Sequence, residues 1–178
     1  WSWSRGLGDV YKRQLLRRRK IDLSKNLGLY HFNRNALIYS LVAYLILYLV
    51  LTAYSYAFQI SPPEEFIKLM QATPFVLNFL MVVIGAPIVE ELLFRGFLFS
   101  QLKTTKLGIN GSIILTSLIW TSIHLQYDLF LLIPIFLIGL LLGYLMHKYN
   151  SLYLVIIVHA VHNLQATLFI EFFYDYFY

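Results

Sequence analysis

Residues 75–106 read FVLNFLMVVIGAPIVEELLFRGFLFSQLKTTK. About 20 residues rising about 1.5 Å each cross a hydrocarbon core of roughly 30 Å, so this run can span a bilayer as one helix. Three ionisable residues, Glu90, Glu91 and Arg95, stand in its middle, and Lys103 and Lys106 close it. A charge at mid-depth costs roughly 2.5–3.5 kcal/mol on insertion scales, which makes such residues functional candidates by default. Pro87 predicts a kink just ahead of them.

Outward from this helix the chain repeats the pattern. Apolar runs cover residues 36 to about 58, which is uncharged, 109 to about 125, 129 to 146 and 152 to about 173. With 59% hydrophobic and only 13% charged residues among 178, the chain is too apolar for one water-soluble core to hide. The expectation is an all-α, polytopic membrane helical bundle of about five transmembrane helices forming one domain over residues 36–178. Ser61, Pro62 and Pro63 end the first span, and residues 64–73, carrying Glu64, Glu65 and Lys68, predict a short amphipathic interfacial helix that serves to connect. Gly139 and Gly143 make a small-xxx-small pair suited to close helix contact. The tail FFYDYFY suits an aromatic belt at the interface. No cysteine occurs, so disulfides, thiolate catalysis and cysteine-ligated metals are excluded.

Nine of the fourteen Lys and Arg residues lie in the first 35 residues, ahead of the first apolar run. This distribution points to a membrane-flanking basic segment at residues 15–35, where Arg17, Arg18, Arg19 and Lys20 meet anionic headgroups, and not to nucleic acid. The opening WSWSRGLGDVYKRQ resembles a translated sequencing-adaptor read-through. Residues 1–14 are therefore read as non-native, with native N-terminal helices lost upstream if that holds. Alternating the spans from a cytoplasmic N-terminus puts Lys103, Lys106 and Lys148 inside and only Lys68 outside. Lipid and a membrane-associated substrate are the expected partners.

Besides Glu90, Glu91 and Arg95, the spans hold His124, His159, His162 and Asn163. Glu91 and Arg95, four apart on one helix face, predict a neutralising ion pair. Glu90 points about 100° away around the helix and is left for chemistry, though a hydrogen bond between helices remains open for it. His159 and Asn163, also four apart, project on one face, and His162 grazes that face or packs against a neighbour. Helical rise puts Glu90 roughly 18 Å deep, His124 about 22 Å, His159 about 10 Å and Asn163 about 16 Å, so these groups can meet in one cavity.

These residues resemble three motifs of the CAAX-processing and bacteriocin-processing intramembrane proteases. EELLFR matches EExxxR, His159-Ala160-Val161-His162-Asn163 matches HxxxN, and His124 stands at the histidine of FxxxH with Trp120 in place of the phenylalanine. The resemblance covers about residues 75–167. It implies a bundle whose polar cavity hydrolyses peptide bonds, Glu90 with His124 activating water, His159 and Asn163 stabilising the oxyanion, and Glu91 with Arg95 in support. It points to no cofactor, and to a bacterial cell membrane as the setting. Zn²⁺ held by the same Glu and His residues is the competing catalytic reading; against it stand the absence of HExxH and the poor ligand quality of Asn163. A proton-coupled transporter and a silent membrane scaffold, as in bacteriocin self-immunity, are the alternatives from other classes. A transporter often shows paired, interrupted repeats, which this sequence lacks.

The orientation is open to direct measurement, because the chain has no cysteine of its own. A cysteine introduced at Lys103 should resist membrane-impermeant thiol reagents in intact cells and react after permeabilisation. Labelling from outside would reverse the topology.

Overall fold

The computed structural model describes residues 23–174, so the expectations for residues 1–14, for Arg17 to Lys20 and for the last residues of the aromatic tail lie outside it. Among the described residues seven helices follow one another: α1 (Leu23–Leu27), α2 (Arg34–Ala57), α3 (Glu64–Ala72), α4 (Phe75–Leu102), α5 (Gly108–Ser122), α6 (Leu129–Tyr149) and α7 (Leu152–Phe172). Among the described residues no strand forms beyond one isolated antiparallel bridge, Leu29 to Ser151. The protein is an all-α, polytopic membrane bundle.

Local chemistry sets the helix starts. Asn33 accepts from the Ala36 amide at 2.8 Å, Asp128 from Leu131 at 3.0 Å and Ser151 from Leu154 at 3.3 Å, each quieting an orphan N–H. Asn150, in the left-handed region at φ 46°, ends α6 and lets α7 begin two residues later. The segment before α2 returns to this corner: the Leu152 amide donates to Gly28 O at 2.8 Å, and the Ser151 hydroxyl to Tyr30 O at 2.6 Å. The N-terminal approach and the α6–α7 connection therefore lie on the same side of the bundle, as the alternation of spans requires.

Among the described residues four helices, α2, α4, α6 and α7, are long and apolar enough to cross a membrane. The fifth expected span is shorter. With 15 residues α5 rises only about 22 Å, and it ends at Ser122 instead of near residue 125. Reverse turns take over there, His124 N to Thr121 O at 2.9 Å and Tyr127 N to His124 O at 3.0 Å, and deliver the chain to its Asp128 cap. His124 thus sits in the turn after α5.

Apolar side chains face outward as well as inward, as a lipid solvent allows. Leu45, Ile46, Leu49 and Val50 of α2 and Leu93 and Phe97 of α4 are exposed, while Phe99, Leu142, Leu145, Leu152 and Val155 fill the interior. Small residues let helices close on one another. A β-carbon added at Gly139 would meet Ser117 Cβ at 3.0 Å and Trp120 Cε3 at 3.1 Å, and one at Gly143 would meet Ile113 Cγ2 at 3.0 Å. The glycine pair therefore seats α6 against α5.

The long helix α4 is continuous but irregular. Residues Phe79–Gly85 and Leu92–Leu98 adopt π-helical turns on either side of the Glu90–Glu91 pair. Pro87 explains the first: its ring clashes with the carbonyl four residues back, and the preceding turn widens so that Ala86 N–H reaches Met81 O. The kink expected at Pro87 is realised as this π turn. α3 does more than connect. Ile67 and Met70, 2% and 4% exposed, pack against Ile170 of α7, and Asn78 Nδ2 donates to Met70 O at 2.7 Å.

The buried centre is ionic. Arg95 and Glu91, both fully buried, pair at 2.8 Å between Nη1 and Oε1. Arg95 Nη2 donates to Gly139 O of α6 at 3.0 Å, and the same Glu91 oxygen accepts from His159 Nδ1 of α7 at 2.9 Å. Two side chains one turn apart on α4 thereby hold both neighbouring helices.

Two consequences for stability follow. Glu91→Gln should lower it by roughly 3–5 kcal/mol, the cost of stranding one side of a buried pair in soluble proteins, and should cost less in an Arg95→Gln background. Equal losses in both backgrounds, read from thermal midpoints in detergent, would remove the pairing argument. Gly139→Ala should cost about 1–3 kcal/mol through overpacking against Ser117 and Trp120.

Candidate active site

Four segments supply the polar groups: α4 brings Glu90, α5 Trp120, the turn after it His124, and α7 His159 and Asn163. All five border one cavity of ≈ 260 Å³ inside the bundle, together with Phe66 and Met70 of α3, Tyr127, Ile135 and Ile138, and His162, Ala166, Thr167 and Ile170 of α7. The expected convergence of Glu90, His124, His159 and Asn163 on one cavity is what the structure displays.

His159 stands between the two carboxylates of α4. Its Nδ1 gives its hydrogen to Glu91 Oε1, because a carboxylate only accepts. Its Nε2 lies 3.9 Å from Glu90 Oε2, too far for a direct hydrogen bond and close enough for an ionic contact. With Nδ1–H committed to Glu91, Nε2 carries a hydrogen only when the ring is an imidazolium. One imidazole thus reads both glutamates, a sharing that the angular argument from helical period did not anticipate.

Glu90 keeps 22% of its side chain accessible, whereas Glu91 keeps none. Adjacent residues of one type therefore occupy different surroundings: one faces the cavity and the other is locked behind it. Trp120 Nε1 donates to Glu90 Oε2 at 2.5 Å. The indole is itself enclosed, with the Arg95 guanidinium 4.9 Å from its ring centre and the rings of His124 and His159 at 5.3 Å and 5.4 Å, edge to face. In place of the motif's phenylalanine, Trp120 packs as an aromatic. It also supplies a hydrogen-bond donor that phenylalanine lacks, and the signal was available, since a buried indole N–H in an apolar segment needs an acceptor.

His124 Nδ1 lies 3.0 Å from Trp120 O and donates to it, which leaves Nε2 of the neutral ring as an acceptor. Its ring also lies 6.1 Å from that of Tyr127. The hydrogen bond that Glu90 receives from the α5 side comes from Trp120 and not from His124.

Asn163 Nδ2 donates to Val82 O at 2.8 Å. Val82 lies in the π turn, where the amide five residues on would be its partner, and that residue is Pro87. The asparagine amide thus replaces the hydrogen that proline cannot offer, and one of its two N–H bonds remains available. His162 sits beside the cavity with Nδ1 at 3.2 Å from Tyr44 OH, and Gln165 Nε2 donates to Tyr48 OH at 2.9 Å, so this face of α7 docks α2. Among the described residues no three His, Asp or Glu groups are placed to share a metal ion.

Comparison with known proteins places these observations in a family. No curated protein and no solved structure matches the chain. The family model described as type II CAAX prenyl endopeptidase, Rce1-like, matches residues 72–165, which run from the end of α3 into α7 and include Glu90, Glu91, Arg95, Trp120, His124, His159 and Asn163. The match extends over half of the chain, and the protein belongs to the Rce1-like family of type II CAAX prenyl endopeptidases.

Proposed function

We propose that the protein is an intramembrane endopeptidase that hydrolyses a peptide bond of a membrane-associated protein or peptide, using Glu90 as the base. The observation that carries this reading is the pairing of a partly accessible carboxylate with an imidazole nitrogen 3.9 Å away, on a cavity enclosed by apolar helices. In this scheme a water between Glu90 and His124 gives its proton to Glu90 as its oxygen attacks the scissile carbonyl carbon. His159 Nε2–H, in the imidazolium form, and the remaining Asn163 N–H donate to the oxygen that becomes negative. Collapse of the tetrahedral species breaks the C–N bond, and Glu90 returns the proton to the leaving amine.

The surroundings support this division of labour. The apolar walls of the cavity strengthen every donor aimed at developing charge. The Trp120 N–H fixes one oxygen of Glu90 and leaves the other for the water. Glu91 and Arg95 position His159 without touching substrate, and no step is routed through a metal. The membrane orientation we favour has the N-terminal approach and the Lys103–Lys106 loop in the cytoplasm of a bacterial cell, on the strength of the Lys and Arg distribution.

The test is proteolysis by purified protein in liposomes of two reporters, a farnesylated peptide ending Cys-Val-Ile-Met and an unprenylated membrane-anchored peptide. Glu90→Gln should abolish turnover, a loss of at least about 10²-fold, while the protein remains folded and inserted. Activity should persist in a strong chelator. Cleavage of neither reporter, full activity in Glu90→Gln, or loss on chelation reversed by Zn²⁺ would each overturn the mechanism.

A further inference from the structure

Several helix hydroxyls in this bundle share one pattern. Thr52, Thr116, Ser117 and Thr121 each donate to the carbonyl four residues back, at 2.7–2.9 Å. Such back-bonding is the ordinary way to satisfy a hydroxyl where water is scarce. Thr167 departs from it. Its residue is 1% exposed, and its Oγ1 has no hydrogen-bond partner among the described residues. Ser40 shares that condition on α2 but does not border the cavity, whereas Thr167 does.

Its place on α7 is also defined. Thr167 follows Asn163 by four residues and His159 by eight, so the three lie along one face of the helix, and all three line the cavity. Beside Thr167 the wall is apolar, with Met70 of α3 and Ile170 each 4% exposed. Eight helical residues rise about 12 Å, the length of three to four residues of extended peptide at about 3.3 Å each.

We infer that Thr167 is a substrate-positioning residue: its hydroxyl donates to a backbone carbonyl of the bound peptide, three to four residues from the bond that is cut, with Met70 and Ile170 walling the adjacent side chain. The peptide then lies extended along the His159–Asn163–Thr167 face. A hydroxyl left unmatched in the free protein becomes matched in the complex, so the hydrogen bond favours binding and not folding. This rests on the endopeptidase reading and adds the group that sets the register of the substrate.

The experiment compares Thr167→Val, which keeps the shape and deletes the hydroxyl, with Thr167→Ser, which keeps the hydroxyl. Cleavage of the two reporters, farnesylated and unprenylated, gives kcat and KM. Binding of the same two peptides to Glu90→Gln protein, alone and with each Thr167 change, is followed by fluorescence anisotropy. Thr167→Val should raise KM and the dissociation constant about 3- to 10-fold, leave kcat within about two-fold, and not lower the thermal midpoint. Thr167→Ser should match wild type. Unchanged KM and binding in Thr167→Val, or a lowered thermal midpoint that serine does not restore, would overturn the assignment. If wild type fails to cleave while Thr167→Val still weakens binding, the endopeptidase reading falls and the subsite stands; if wild type cleaves and Thr167→Val binds normally, only the Thr167 assignment falls. Absence of both cleavage and binding overturns the two together.

Discussion

A guanidinium and a carboxylate paired at 2.8 Å with no exposure to solvent are the constraint around which this bundle is arranged. Neither charge could remain in an apolar interior alone, and each recruits a further partner: Arg95 takes the Gly139 carbonyl of α6, and Glu91 takes Nδ1 of His159 on α7. The pair therefore fixes the relative position of three helices. It also decides which edge of the His159 ring is left over, and that edge faces Glu90. The edge of His159 that borders the cavity is therefore set by an ion pair buried behind it.

Backbone irregularity does the remaining positioning. Proline in the interior of α4 removes a donor and widens the helix, and the carbonyl this leaves at Val82 is met by the side chain of Asn163. In a membrane such a carbonyl has no water to turn to, so the irregular turn and the asparagine require each other. Close approach of α5 and α6 through Gly139 and Gly143 serves the same end from the other side. It brings Trp120 under Arg95 and over Glu90, where its N–H holds the carboxylate in place. Lipid-facing surfaces of α2 and α4 contribute little specificity, since their exposed leucines and valines meet a solvent as apolar as themselves.

Much of this was legible without coordinates. Hydropathy alone determined an all-α membrane bundle, because no other solvent accommodates runs of that length and only helices satisfy their own backbone there. Spacing by four determined the Glu91–Arg95 pair and the shared face of His159 and Asn163, and the cost of burying polar groups in lipid marked Glu90 and His124. Tertiary structure decided the rest, for one reason: each of these features joins segments distant in sequence, and periodicity describes only one helix at a time. The sharing of His159 between two glutamates depends on where α7 docks. The donor from Trp120 to Glu90 depends on glycines of α6, a helix that contains neither residue. The part of α3 in the cavity wall depends on packing against Ile170. The early end of α5 depends on the turns that reach Asp128. Local sequence set which groups had to find partners, and only the packed bundle settled which partners they found.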